Sequence, residues 1–465
     1  MMRSVLIFGC SLFVASPLSA GGAVQAHLRY EPLAGPVLAG GAAVWAERQG
    51  SDAFAIREAV AGSAPRTVFR YRVDVPLSSA SVALSGSSGL LAVQVLVRDL
   101  TASPHSQLVQ RRVFLGPPGG PLESVSLSCP LSIFSLDRST DVAGSAAVYL
   151  AGGADELGAG RCGAELRTAT ATIALPDAAQ GPRLTARFVS WLSDWPAGQR
   201  SRNFADLTVR DRESGADVTH VAGPSIPGQI GDLALDNDGE VAISWGQSGD
   251  GWTHGALGVV RLGASSVTRL PVPLGHYVPK LVNGRLIALT SSDGRGPGSI
   301  DLFDARGRFS RSVAVGAYDS EFSEQFDFNG TSVVWTDRAC GSARILMAPV
   351  DGPFDQAPNC PLALKGRPRI LRRRLKVPIS CGGVAPKCQA ALIVRLGSKH
   401  GVMVAHGTSR PGGLLNSTLS RATLHRLADR AHVKLWISGR VGDDGFEAEF
   451  HRETQQRSAV ATLAR

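Results

Sequence analysis

Leu281–Thr290 reads LVNGRLIALT, Phe328–Asp337 reads FNGTSVVWTD and Leu235–Trp245 reads LDNDGEVAISW. In each, an Asn-Gly or Asp-Gly pair is followed at once by a run of apolar and β-branched residues. Asn, Asp and Gly tolerate the positive φ that a tight hairpin needs. A strand apolar on nearly every residue must be covered on both faces. The same unit recurs upstream as LAGGAAVWAE at Leu38–Glu47, LSGSSGLLAVQV at Leu84–Val95, VAGSAAVYL at Val142–Leu150 and ARFVSWL at Ala186–Leu192. An aromatic closes or nearly closes five of the strands, at Trp45, Tyr149, Trp191, Trp245 and Trp335.

The strand centres lie some 42 to 56 residues apart. A further strand follows each polar loop, at Asp206–Asp211, Leu257–Leu262, Ser299–Asp304 and Ala343–Pro349, then a polar turn and an outer strand. About four strands per unit at this period is the pattern of a β-propeller. The expected fold is all-β: a propeller of about seven blades over residues 27–360, followed by a small β-sandwich over 361–465. Weaker N-terminal repeats leave six or eight blades open, and a pair of β-sandwiches is the rival architecture. The repeats resemble those of WD40-like and TolB-type propellers over roughly residues 30 to 350. The resemblance is architectural, because the Trp-Asp dipeptide of WD40 repeats is absent apart from Trp335-Thr336-Asp337.

Beyond residue 361 the period changes. Strands are expected at Arg369–Ser380, Cys388–Leu396, Leu414–Ser420, His432–Val441 and Gln456–Ala464. A short helix is expected from Ser420, a residue type suited to capping. The VPISC…C…L-strand order resembles a small immunoglobulin-like module found at the ends of many secreted actinobacterial proteins. No catalytic residue is implied by it.

The first residues read as an export leader, residues 1–26: Arg3, an apolar Val5–Val14, Pro17, then small residues. Cleavage is expected after Ala26, with Ala20 as the second choice. Cys10 lies inside the apolar region, too early for a lipidated N-terminus. The expected location is secreted and extracellular, with no transmembrane anchor. In an oxidising compartment an even set of cysteines pairs, and the expected disulfides are Cys129–Cys162, Cys340–Cys360 and Cys381–Cys388. The formal charge of +9 is uneven. Residues 361–465 carry 19 Lys and Arg against 6 Asp and Glu; residues 27–360 carry 28 against 33. The run 365–376, with seven positive charges, reads as a linker and edge strand, or as an anchor for an anionic surface. It lacks the interleaved aromatics of a nucleic-acid site, so no nucleic-acid partner is expected.

Catalytic signatures are missing: there is no G-x-S-x-G elbow, no H-E-x-x-H and no paired histidine spacing. No metal or cofactor is expected. Asp236–Glu240 has the look of a calcium loop, but it occupies the hairpin position of the neighbouring Asn-Gly turns and reads as a turn. A ligand face is expected on loops between the two inner strands of the blades. There the sequence offers Glu47 and Arg48; Asp194, Trp195 and Arg200; Trp252 and His254; Asp293 and Arg295; and Asp337 and Arg338. Trp rings beside charge suit an extracellular protein or glycan ligand. The resulting reading is a non-enzymatic binding or scaffold protein. The alternative is a propeller hydrolase or lyase acting on an extracellular polysaccharide or peptide. Convergent titratable side chains at a central channel would distinguish the second from the first.

Overall fold

A computed structural model describes residues 23–28, 32–77, 80–98, 108–127, 131–133, 140–150, 164–176, 179–193, 205–246, 255–291, 296–304, 306–319, 326–337 and 343–352 of the repeat region. Beyond it, 362–364, 369–371, 373–381, 390–396, 402–408, 414–428, 432–441 and 457–464 are described. The repeats form a seven-bladed β-propeller of antiparallel blades. The innermost strands, blades 1 to 7 in order, are Ala34–Ala39, Ala80–Gly86, Thr140–Ala143, Ala179–Leu184, Gln229–Leu235, His276–Val282 and Phe326–Phe328. Each packs against the next, and the seventh packs against the first, so the ring is closed.

The apolar strands of the repeats are second, not innermost. They are Ala42–Arg48, Leu91–Arg98, Ala146–Leu150, Phe188–Ser193, Val241–Gly246, Arg285–Ser291 and Ser332–Asp337, each following an innermost strand through a hairpin. Their unbroken hydrophobicity has a direct cause. Successive side chains on a strand face opposite ways, and here both ways lead into a neighbouring blade. Val44 enters the cluster between blades 1 and 2 with Leu84 and Val93, while Trp45 enters the cluster between blades 7 and 1 with Val334 and Ile345. Trp45, Tyr149, Trp191, Trp245 and Trp335 are all buried.

The turns behave as their residues dictate. Asn283 and Gly284 both take positive φ, at 52° and 71°. Asn329 instead folds its side chain over its own turn, its Oδ1 accepting the Thr331 and Ser332 N–H groups. Asp236 is buried and its carboxylate accepts the backbone N–H groups of Asn237, and of Asn283 and Gly284 in the next blade. The stretch resembling a calcium loop thus clasps blade 5 to blade 6. Asp236→Ala removes three hydrogen bonds to N–H groups of exposed residues, at about 0.5–1.5 kcal/mol each. The expected result is a clearly lower melting temperature in this variant, with calcium and EDTA leaving the wild-type value unchanged.

Blade 7 is completed from the other end of the chain. Its outermost strand is Ala23–Leu28, paired antiparallel with Ala343–Pro349 from Ala23 opposite Met347 to Leu28 opposite Ala343. Ala26 and Leu28 are buried between blades 7 and 1. Cleavage after Ala26 would cut this strand, whereas cleavage after Ala20 would leave it whole.

Residues beyond 361 form two four-stranded sheets and one helix. One sheet holds Leu362–Leu364, Arg369–Leu371, Arg374–Cys381 and Leu414–Thr418; the other holds Ala390–Leu396, Met403–Thr408, His432–Val441 and Arg457–Ala464. The single strand expected over 369–380 is a hairpin instead, with Leu371 opposite Arg374. The helix spans Arg421–Ala428, and Ser420 caps it, its Oγ accepting the Thr423 N–H at 3.1 Å.

Candidate active site in the central channel

Because the apolar strand is second, the innermost strands hold the channel residues. At one equivalent position, opposite the centre of the second strand, blades 1 and 2 place Val37 and Leu84, paired with Val44 and Val93. Blades 3, 4, 6 and 7 place Asp141, Arg183, Lys280 and Asp327, paired with Val148, Ser190, Ile287 and Val334. Blade 5 places Asp232, whose N–H donates to Ser244 Oγ at 2.9 Å. Five successive blades therefore present Asp, Arg, Asp, Lys and Asp. Charge alternates around most of the ring, and the rest is apolar.

Four of the five side chains reach across to a neighbouring blade. Asp141 Oδ2 accepts the Leu184 N–H at 2.9 Å, and its Oδ1 accepts Ser85 Oγ–H at 3.0 Å and the Val142 N–H at 2.9 Å. Arg183 Nε donates to the Leu233 carbonyl at 2.7 Å. Asp327 Oδ2 accepts the Leu38 N–H at 2.9 Å, and Lys280 Nζ lies 3.6 Å from its Oδ1. The first duty of the ring is to clasp the blades. An innermost strand has an edge with no strand beyond it, and these polar atoms satisfy part of that edge.

Asp141 has a second property. The residue keeps part of its surface open, but its carboxyl is enclosed by the surrounding blades. That desolvation is the largest influence on it and pushes its pKa above the ordinary aspartate value. Arg183, the Leu184 N–H, Lys280 and Ser85 pull the other way without cancelling it. Oδ1 already accepts two donors, so Oδ2 has the remaining capacity for a proton. Asp327, in contrast, stands in an ion pair with Lys280.

The residues expected to bind a ligand are placed as follows. Trp195, Arg200, Trp252, His254, Asp293, Arg295 and Arg338, together with Asp194, lie outside the described residues. So do Cys129, Cys162, Cys340, Cys360 and Cys388, and of the Cys381 side chain nothing is described. Asp337 is buried at the end of its strand, directly opposite Arg344 and ion-paired with it. Arg344→Met would strand that carboxylate, a change costing about 3–5 kcal/mol when a buried pair loses one partner. The expected result is a markedly lower melting temperature, partly restored by adding Asp337→Asn. Glu47 lies near the end of the second strand of blade 1, paired opposite Ala55 and 3.4 Å from Arg57 Nε. Among the described residues, no three His, Cys, Asp or Glu gather as metal ligands, and no helix is long and apolar enough to cross a membrane.

No protein-family model and no curated protein matches the chain. Solved structures do. A puromycin hydrolase is 14% identical over 78% of this chain and 60% of its own, with a TM-score of 0.41. A puromycin-hydrolyzing peptidase of Mycobacterium tuberculosis is 15% identical over 80% of this chain and 63% of its own, with a TM-score of 0.43. The β-propeller domain of the Trilobed protease from Pyrococcus furiosus is 8% identical over 72% of this chain and 97% of its own, at 0.39. The chain spans about three-fifths of the length of the two peptidases. Likeness at this level concerns the fold. Several of the matched proteins, though not all, are peptidases; the expectation of a non-enzymatic binding or scaffold protein is set aside, and the hydrolase alternative is taken up as a proposal.

Proposed function

We propose that the protein is a propeller hydrolase whose reacting groups lie in the central channel, with Asp141 as proton donor and Asp327 as proton acceptor. The observation that supports this is the convergence of Asp141, Arg183, Asp232, Lys280 and Asp327 on one ring of the channel. In the reaction, a water gives a proton to the Asp327 carboxylate as its oxygen attacks the scissile centre. The bond to the leaving group breaks as that group takes the Asp141 proton. Arg183 and Lys280 are placed to offset negative charge that develops between the two carboxyl groups. Blades 3 and 7 stand across the ring from one another, so the substrate segment would lie between these groups. Peptide substrates are the first class to test, because the matched structures are those of peptidases. The experiment incubates the full chain with peptides free or blocked at each end, and with neutral and anionic polysaccharides, and follows new amino termini and reducing ends. Turnover of one class is the expected result. No turnover of any would overturn the proposal.

A further inference from the structure

We propose that the outward face of the hairpin sheet beyond the propeller binds a linear, phosphate-bearing polyanion. Between Asp355 and Asp429 the sequence contains no acidic residue and 13 Lys or Arg. Nothing within that stretch can neutralise its own charge. The fold then concentrates part of it. Arg374–Cys381 lies between Arg369–Leu371 and Leu414–Thr418, with Arg374 opposite both Leu371 and Thr418. Lys376 is opposite both Arg369 and Asn416. Residues directly opposite, and those two apart, share a face. One face therefore holds the positions of Arg369, Arg374, Lys376, Asn416 and Thr418.

Burial identifies this face as the open one. Arg374, Asn416 and Thr418 are exposed and Lys376 is half-buried, whereas Leu375 on the other face is buried. Arg373 at the turn is also exposed, and its carbonyl accepts the Leu419 N–H at 2.8 Å, which holds the turn beside exposed Arg421. The face is a sheet surface on which cations two residues apart recur about every 7 Å. That geometry suits an extended polymer with regularly spaced charges better than a single small ion. Asn416 and Thr418 add neutral hydrogen-bonding groups along the same line.

The test uses the full chain with labelled long-chain polyphosphate, followed by fluorescence anisotropy across a salt series. Binding should weaken steeply with salt, because each phosphate contact releases a counterion. The double variant Arg374→Ser, Lys376→Ser should bind at least tenfold more weakly at low salt. Its slope of log K against log salt should be shallower by about 1.4, for two contacts of about 0.7 each. Its melting temperature should match the wild type. Arg306→Ser with Arg308→Ser, exposed on the propeller, should leave binding unchanged. Equal losses in both variants, no salt-dependent binding, or binding to anionic lipid vesicles but not to the polymer would each overturn the proposal. The assay measures no turnover, so its outcome is independent of the channel chemistry.

Discussion

Asp141→Asn is expected to slow hydrolysis by about 10²–10⁴-fold, the range lost with a general acid or base. The substitution keeps one acceptor oxygen, enough for the Ser85 hydroxyl and the Val142 N–H, and sets its NH2 against the Leu184 N–H, so the clasp to blade 2 survives and that to blade 4 is weakened. What it removes is the transferable proton. Stability should move the other way from activity. The folded-state pKa of Asp141 lies above its unfolded value. The stability contributed by the protonated form is therefore fully present below the unfolded value and is lost as pH rises through the folded one. Asn has no proton to lose. Thermal melts across this window should show the variant gaining on the wild type as pH rises. A variant that instead loses ground with rising pH would show that the carboxylate, not the acid, is the favoured form.

Removing Ala23–Leu28 is expected to open the ring. The strand supplies the outer edge of blade 7, and its loss uncovers the edge of Ala343–Pro349 and the side chains packed under Ala26 and Leu28. Burying a leucine side chain alone is worth about 1.5–3 kcal/mol. The pairing along the whole strand adds to that, so a chain beginning at Tyr30 should lose at least about 3 kcal/mol. Chemical denaturation of the two forms measures this. Equal midpoints and slopes would mean that blade 7 holds with three strands and that closure by the N-terminal segment is unimportant. The same geometry sets an expectation for export: the mature N-terminus, read by mass spectrometry, should lie before Ala23.

The propeller was legible because its second strands are buried on both faces along most of their length. Val44 and Trp45 enter different clusters, yet both are apolar, so the repeat announces itself at Leu38–Glu47 and again at Phe328–Asp337. The innermost strands were not legible by hydrophobicity. Ala179–Leu184 reads AQGPRL and His276–Val282 reads HYVPKLV, broken by Pro and by charge because one edge meets no further strand. A usable signal was present all the same. Asp141, Arg183, Lys280 and Asp327 each stand shortly before a repeat's hairpin turn, as does Asp232 in blade 5. Aligning the repeats on their turns, not on their aromatics, brings Asp141, Arg183, Lys280 and Asp327 into one column, and the register shift between Ile230 and Leu233 sets Asp232 off from it. Expectation centred on the Trp-bearing loops because rings beside charge attract attention, and those loops lie between second and third strands. The basic run was read as a linker leading into one strand, and nothing apolar in Arg369–Ser380 marks the division into two paired strands.

The most direct measurement is the pH dependence of hydrolysis by the wild type beside that of Asp141→Asn. If Asp141 donates the proton, the wild-type rate declines as pH rises through its raised pKa, and the variant keeps only a small residual rate without that decline. A variant with the wild-type rate and the wild-type profile would contradict the assignment of the reaction to the channel.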